Sequence, residues 1–219
     1  MNPRLLRSAR ATTLAGLALA VLSVLFFAWL SEEVMENDTA RFDAHVRALV
    51  HRNSDPLITQ AMRTASDVGS PLAVGLLTLI ACALFWIWRR REDAVVLAVT
   101  VVGASVLDYV LKASFRRDRP IPFPGIATLD SFSFPSGHAL VALCFYGVLA
   151  RLMNSHIRSV GARTGIWAAA VFIVLVIGFS RIYLGVHYPS DVVAGYAAGS
   201  VWIAAISGTL GRTALSQLH

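Results

Sequence analysis

Residues 165–210 read GIWAAAVFIVLVIGFSRIYLGVHYPSDVVAGYAAGSVWIAAISGTL, two apolar runs (165–184 and 191–210) joined by a short polar break. A helix of about 20 apolar residues crosses a hydrocarbon core about 30 Å thick, so each run has the length of a membrane span. Gly185 and Pro189 stop the first helix and start the second, which leaves His187 on the turn between them and Asp191 in the first turn of the new helix. A carboxylate so close can hold the imidazole in one tautomer and raise the basicity of its other nitrogen. The stretch therefore predicts two spans in the bilayer with a His–Asp pair at the bend.

Four more apolar segments lie upstream, at about 12–30, 71–88, 94–111 and 138–153, giving an all-α, integral membrane bundle of six transmembrane helices. Composition agrees: 56% of residues are hydrophobic, 15% are charged, and mean hydropathy is +0.64. The net charge of +6 could serve nucleic acid or an anionic membrane, but the basic residues fall between apolar runs with no aromatic interleaving, which excludes a nucleic-acid partner and leaves the bilayer. Residues 1–219 form a single membrane domain, with no internal repeat or linker. Cys82 and Cys144 both sit inside apolar runs and read as buried, inert thiols. The run after Arg4, Arg7 and Arg10 is too long for a signal-peptide core, and Trp29-Leu30-Ser31-Glu32 is a poor cleavage site, so it reads as an uncleaved anchor.

Arginine distribution sets the expected orientation. Arg4, Arg7 and Arg10, then Arg89–Arg91, then Arg151, Arg158 and Arg163, then Arg212 mark one side as cytoplasmic, whereas 31–70 is acidic on balance. Both termini are expected inside the cell inner (plasma) membrane, with the loops after spans one, three and five facing outward. Trp29, Trp86, Trp88 and Trp167 lie near span ends, as interfacial anchors do. Within 31–70, Phe42, Val46, Leu49 and Val50 share a helical face, and Asp55-Pro56 opens a second amphipathic turn with Leu57, Ile58, Ala61 and Met62, ended by Gly69-Ser70-Pro71. One or two short interfacial helices are expected there, lying along the membrane or packed over the bundle; His45 and His51 read as surface residues.

The outward loop 112–135 runs against the charge rule, for it carries Lys112, Arg116, Arg117 and Arg119. A bound anion is the simplest local reason, and long loops in compact proteins tend to be functional. Lys112 is the single lysine among 19 basic residues. Pro135-Ser136-Gly137-His138 follows at the entrance to span four, where Ser136 is placed as an N-cap and Gly137 lets the backbone approach a ligand at a helix start suited to phosphate. The six-span layout brings this tetrapeptide, the basic loop and the 180–191 segment to one membrane face. Positioned cations, two histidines and a carboxylate are the parts phosphoryl transfer requires. A two-histidine, one-carboxylate metal site at His138, His187 and Asp191 is the competing arrangement; the surrounding cations disfavour it, so no metal or other cofactor is expected.

Three motifs now stand in order: Lys112 with six residues before Arg119-Pro120, Pro135-Ser136-Gly137-His138, and Ser180-Arg181 with five residues before His187 and three more before Asp191. Together they resemble the three-part signature of the type-2 phosphatidic acid phosphatase (PAP2) superfamily, without departure, over roughly 94–210. The resemblance implies a membrane lipid phosphatase that works without metal through a phosphohistidine. Carried across, His187 attacks phosphorus, Asp191 orients it, and His138 protonates the leaving oxygen and then activates water. Lys112, Arg119, Ser136, Gly137 and Arg181 hold the phosphate. Undecaprenyl diphosphate, phosphatidate and phosphatidylglycerophosphate are the expected substrates in that order, with transfer to a lipid or sugar acceptor as the alternative to hydrolysis. Asp108, one helical turn before Lys112 and costly inside a span without a partner, is expected to pair with that lysine.

Overall fold

A computed structural model describes residues 3–52 and 54–216, the side chains of 3–15, 17, 19 and 208–216 excepted. The described residues form helices throughout: α1 (Pro3–Met35), α2 (Ala40–Arg52), α3 (Pro56–Val68), α4 (Pro71–Ile87), α5 (Arg91–Phe115), α6 (Gly137–Asn154), α7 (Val160–Tyr183) and α8 (Pro189–Ser216). Helix α6 is central, packed on α4, α5, α7 and α8, while α1 lies along α8 and α3 along α7. Glycine makes the α6–α8 approach possible. A Cβ at Gly195 would stand 2.6 Å from the Ser136 carbonyl oxygen, and one at Gly199 3.1 Å from that of Leu140. Small residues four apart let two helices meet closely where lipid supplies no hydrophobic drive.

The chain is a multi-pass membrane protein. Among the described residues α5, α6, α7 and the Pro189–Ser207 part of α8 are long and apolar enough to cross a bilayer, and α3 with α4, bent by 53°, makes up to a fifth crossing. Their outward faces are apolar and exposed, with Leu79, Ile87, Val102 and Phe172 pointing away from the bundle. The first expected span, 12–30, lies within α1 and partly outside the described side chains, as do Arg4, Arg7, Arg10 and Arg212. The second expected span corresponds to α4, whose 17 residues rise about 26 Å. The break before it follows from sequence: Ser70 Oγ accepts from Ala73 N at 3.2 Å, Pro71 starts the helix, and Gly69 presses on Ile177 of α7.

Two expectations shift. Helix α5 continues to Phe115, so Lys112 belongs to its last turn and the basic loop begins at Arg116, whose left-handed backbone (φ 48°) ends the helix. In α2 and α3 the apolar residues named from the sequence divide between two sides, with Val46, Val50 and Met62 turned inward and the others outward. Phe42, Leu49, Leu57, Ile58 and Ala61 are exposed, and the side turned inward carries Asp43, Val46 and Val50 on α2, and Thr59, Met62 and Ser66 on α3. The inward side combines apolar packing, Val50 and Met62 against the Tyr183, Leu184 and Val186 cluster, with polar partners for Asp43 and Ser66.

Candidate active site

The α7–α8 bend builds the site. The Arg181 carbonyl accepts from Val186 N (3.1 Å) and His187 N (3.3 Å), and Gly185 takes φ +73° against Phe123, a turn that needs glycine. His187 and Asp191 are both buried, with His187 Nδ1 3.2 Å from Asp191 Oδ2. The same oxygen accepts from Tyr188 N at 2.9 Å and from the Ser133 hydroxyl, and Oδ1 accepts from Arg117 Nη1 at 2.6 Å. On its other side, His187 Nε2 stands 3.0 Å from Arg119 Nη1.

These contacts settle the tautomer. Arginine can only donate and an ionised carboxylate can only accept, so Nδ1 carries the proton and Nε2 the lone pair. Burial pulls the His187 pKa down to about 4, against the opposing pull of Asp191, so the ring stays neutral well below the usual imidazole range. The neutral ring thus presents the Nε2 lone pair to the Arg119 guanidinium.

Arg119 and Arg181 both lie within electrostatic reach of the His187 ring. Arg119 is braced by Val186 O (2.8 Å), Ser131 O (2.6 Å) and Ser131 Oγ (2.9 Å), and burial lowers its pKa while Asp191 and Asp108 oppose the shift. Arg181, 7% exposed, donates through Nη1 to Ser66 Oγ of α3, and its Nε is buried without a hydrogen-bond partner. Lys112 Nζ is held 2.8 Å from Asp108 Oδ2. Arg181, His187, Lys112 and Arg119 all lie within electrostatic reach of His138, on the first turn of α6.

Ser136 stands at the N-cap position of α6 but makes no capping bond; its hydroxyl is buried and unpartnered. Its backbone N–H instead donates to Asp191 O at 2.9 Å, tying the starts of α6 and α8 together. The Asp108 carboxylate lies against Gly137, where a Cβ would come within 2.6 Å of Oδ2. Two buried donors, Ser136 Oγ and Arg181 Nε, are thus without hydrogen-bond partners beside several cations. Among the described residues no group of three or more His, Cys, Asp or Glu side chains is arranged to hold a metal ion.

The site residues named from the sequence therefore sit at one end of the bundle. Four others were not named as site residues: Asp43, Arg117, Ser133 and Ser190. Arg117 was visible only as one of several loop cations, and the two serines carry no periodic signal. Asp43 did carry one, as a carboxylate in register with Val46 and Val50 on α2.

The profile of the PAP2 superfamily matches residues 93–213, more than half of the chain and all three motifs. This chain belongs to the PAP2 superfamily. Among curated proteins it is 29% identical to phosphatidylglycerophosphatase B of Bacillus subtilis (strain 168), over 80% of this chain and 86% of that one. It is 33% identical to decaprenylphosphoryl-5-phosphoribose phosphatase of Mycobacterium tuberculosis, over 78% of this chain and 89% of that one. The crystal structure of a transmembrane PAP2-type phosphatidylglycerolphosphate phosphatase from Bacillus subtilis superposes with a TM-score of 0.82 at 27% identity, covering 88% of this chain and 96% of that one. This PAP2 member is a membrane phosphatase, and its motif residues lie together at the α5, α6 and α8 ends that meet the α7–α8 bend.

Proposed function

We propose that the enzyme hydrolyses a lipid phosphate or diphosphate through a phosphohistidine on His187. The observation that carries this reading is the Nε2 lone pair, fixed by Asp191 behind it and aimed at Arg119 in front. The phosphoryl group takes the place of Arg119 as partner of Nε2, with its oxygens held by Lys112, Arg119, Arg181, the Ser136 hydroxyl and the Gly137 N–H. As the Nε2–phosphorus bond forms, the bond to the leaving oxygen breaks and protonated His138 gives that oxygen its proton. Water then passes a proton to His138 while its oxygen attacks phosphorus, so inorganic phosphate leaves and Nε2 regains its lone pair. Fixed positive charge around the three equatorial oxygens supplies most of the rate, as phosphoryl transfer requires.

The relatives' names favour phosphatidylglycerophosphate as the first substrate to try, ahead of undecaprenyl diphosphate and phosphatidate. The reading places six spans in the inner membrane with both termini cytoplasmic, the site facing outward, and α2 and α3 at the interface with Phe42, Leu49, Leu57 and Ile58 toward lipid. Purified protein assayed for phosphate release against these three lipids should turn over at least one, and His187→Ala should abolish the release. Retained turnover in that variant excludes the phosphohistidine.

A further inference from the structure

Asp43 is 1% exposed, on a short helix far from every signature motif, and each hydrogen-bond donor it meets belongs to the active-site end of the bundle. Its Oδ1 accepts from Ser190 N at 2.9 Å, and its Oδ2 accepts from Ser190 Oγ at 2.6 Å and Arg117 Nη2 at 2.9 Å. Ser190 N is an otherwise free amide in the first turn of α8, so a carboxylate from another helix caps the helix that carries Asp191. Arg117 reaches Asp191 Oδ1 with its other arm (2.6 Å), touches Ser190 Oγ (2.8 Å) and lies over the Tyr188 ring at 4.1 Å.

We infer that Asp43 is a positioning residue for the reaction: through Arg117 and the start of α8 it holds Asp191, and with it the His187 ring, in the attacking orientation. The inference rests on the phosphohistidine reading above. Docking of α2 does not call for a carboxylate, since Val50 already packs against Tyr183, Leu184 and Val186. A buried carboxylate is costly unless fully paired, and Asp43 is paired only with groups that touch Asp191 or precede it by one residue. Two carboxylates, one on each arm, also stop Arg117 from turning. Freed from Asp43, its planar fork can close on Asp191 with both arms, a geometry carboxylates favour, and draw Asp191 off His187 Nδ1. Helix α2 is thereby part of the chemistry, not only its cover.

The test uses full-length protein in detergent, phosphate release from whichever lipid it turns over, and the melting temperature of each variant. Asp43→Asn keeps the shape and removes the charge; kcat should fall by about 10–100-fold, as for other groups that orient a functional histidine. KM should stay within about twofold because the phosphate cradle is untouched. Arg117→Met should lower kcat at least as much, and the double variant should lose clearly less than the product of the two single losses, since Asp43 and Arg117 hold the same carboxylate. Wild-type kcat in Asp43→Asn with a lowered melting temperature overturns the inference and leaves Asp43 as a clamp for α2. Independent, multiplying losses in the double variant overturn it as well. If Asp43→Asn yields no folded protein, Arg117→Lys carries the test: a flexible ammonium lacks the rigid planar fork that sets one arm on each carboxylate, so the same kcat loss is expected and wild-type kcat refutes the relay. His187→Ala separates the two readings. Activity there sinks the phosphohistidine, whereas an inactive His187→Ala beside a fully active Asp43→Asn sinks only the relay.

Discussion

Asp108 touches two parts of the proposed phosphate cradle at once, holding Lys112 Nζ at 2.8 Å while its carboxylate lies against Gly137. The lysine is a flexible point charge, and a carboxylate one turn back restricts where its ammonium can go. Asp108→Asn should therefore lower kcat/KM by about 10–100-fold, because a hydrogen bond between charged groups contributes about 1.5–3 kcal/mol. Gly137→Ala should produce a similar loss by pushing the same carboxylate away, and the two substitutions combined should cost little more than either alone. Unchanged kcat/KM in Asp108→Asn would mean that the cradle positions Lys112 without it. At this scale the sequence was legible where a residue type was out of place: a lone lysine among arginines, an aspartate inside a span, a histidine on a helix break. Ser133 and Ser190 could not be found that way, because a serine in a loop or at a helix start is ordinary. Ser136 was legible as a helix-start residue, but only coordinates show that its hydroxyl leaves the cap unmade.

Among the helices, α8 sets the site by how closely it approaches α6. Gly195 faces the Ser136 carbonyl and Ala139, and a methyl group there meets backbone that cannot swing away. Gly195→Ala should destabilise the protein by about 1–3 kcal/mol, the usual cost of overpacking, and should also reduce turnover because Ser136 N is bonded to Asp191 O. Gly75 on α4 has nothing within 4 Å of its would-be Cβ, so Gly75→Ala should raise stability by up to about 1 kcal/mol through helix propensity alone. Melting curves of the two variants should move in opposite directions; a shift of the same sign in both would remove close contact as the explanation. Helix positions were readable from apolar run length, and Gly185 and Pro189 marked the break between α7 and α8. Which side of α2 turns inward was not, since Phe42 and Leu49 have the apolar pattern of a packed stripe while Asp43 has the partners.

Over the whole molecule, polarity is inverted relative to a soluble protein: Leu79, Val102 and Phe172 face out, and the buried charges gather at one end. That end holds α2, the 116–136 loop and the α7–α8 bend, tied together by the Arg117 ion pairs with Asp43 and Asp191. A second polar cluster, Arg90 on Asp93 and on Leu152 O, joins the α4–α5 turn to the end of α6. Spans α5 and α6 run from one cluster to the other, so the two lie on opposite sides of the bilayer. From the arginine bias we propose that the α4–α5 and α6–α7 turns are cytoplasmic and that the site faces outward. Substituted-cysteine labelling decides this. With a membrane-impermeant maleimide on intact expressing cells, Asp130→Cys in the site-side loop should react at once, and His156→Cys in the α6–α7 turn only after the membrane is permeabilised; both side chains are exposed. The unsubstituted protein should stay unlabelled, since Cys144 is buried and Cys82 packs into the core of the bundle. The reverse order of labelling would put the phosphate cradle on the cytoplasmic side and restrict the substrate to lipids of the inner leaflet.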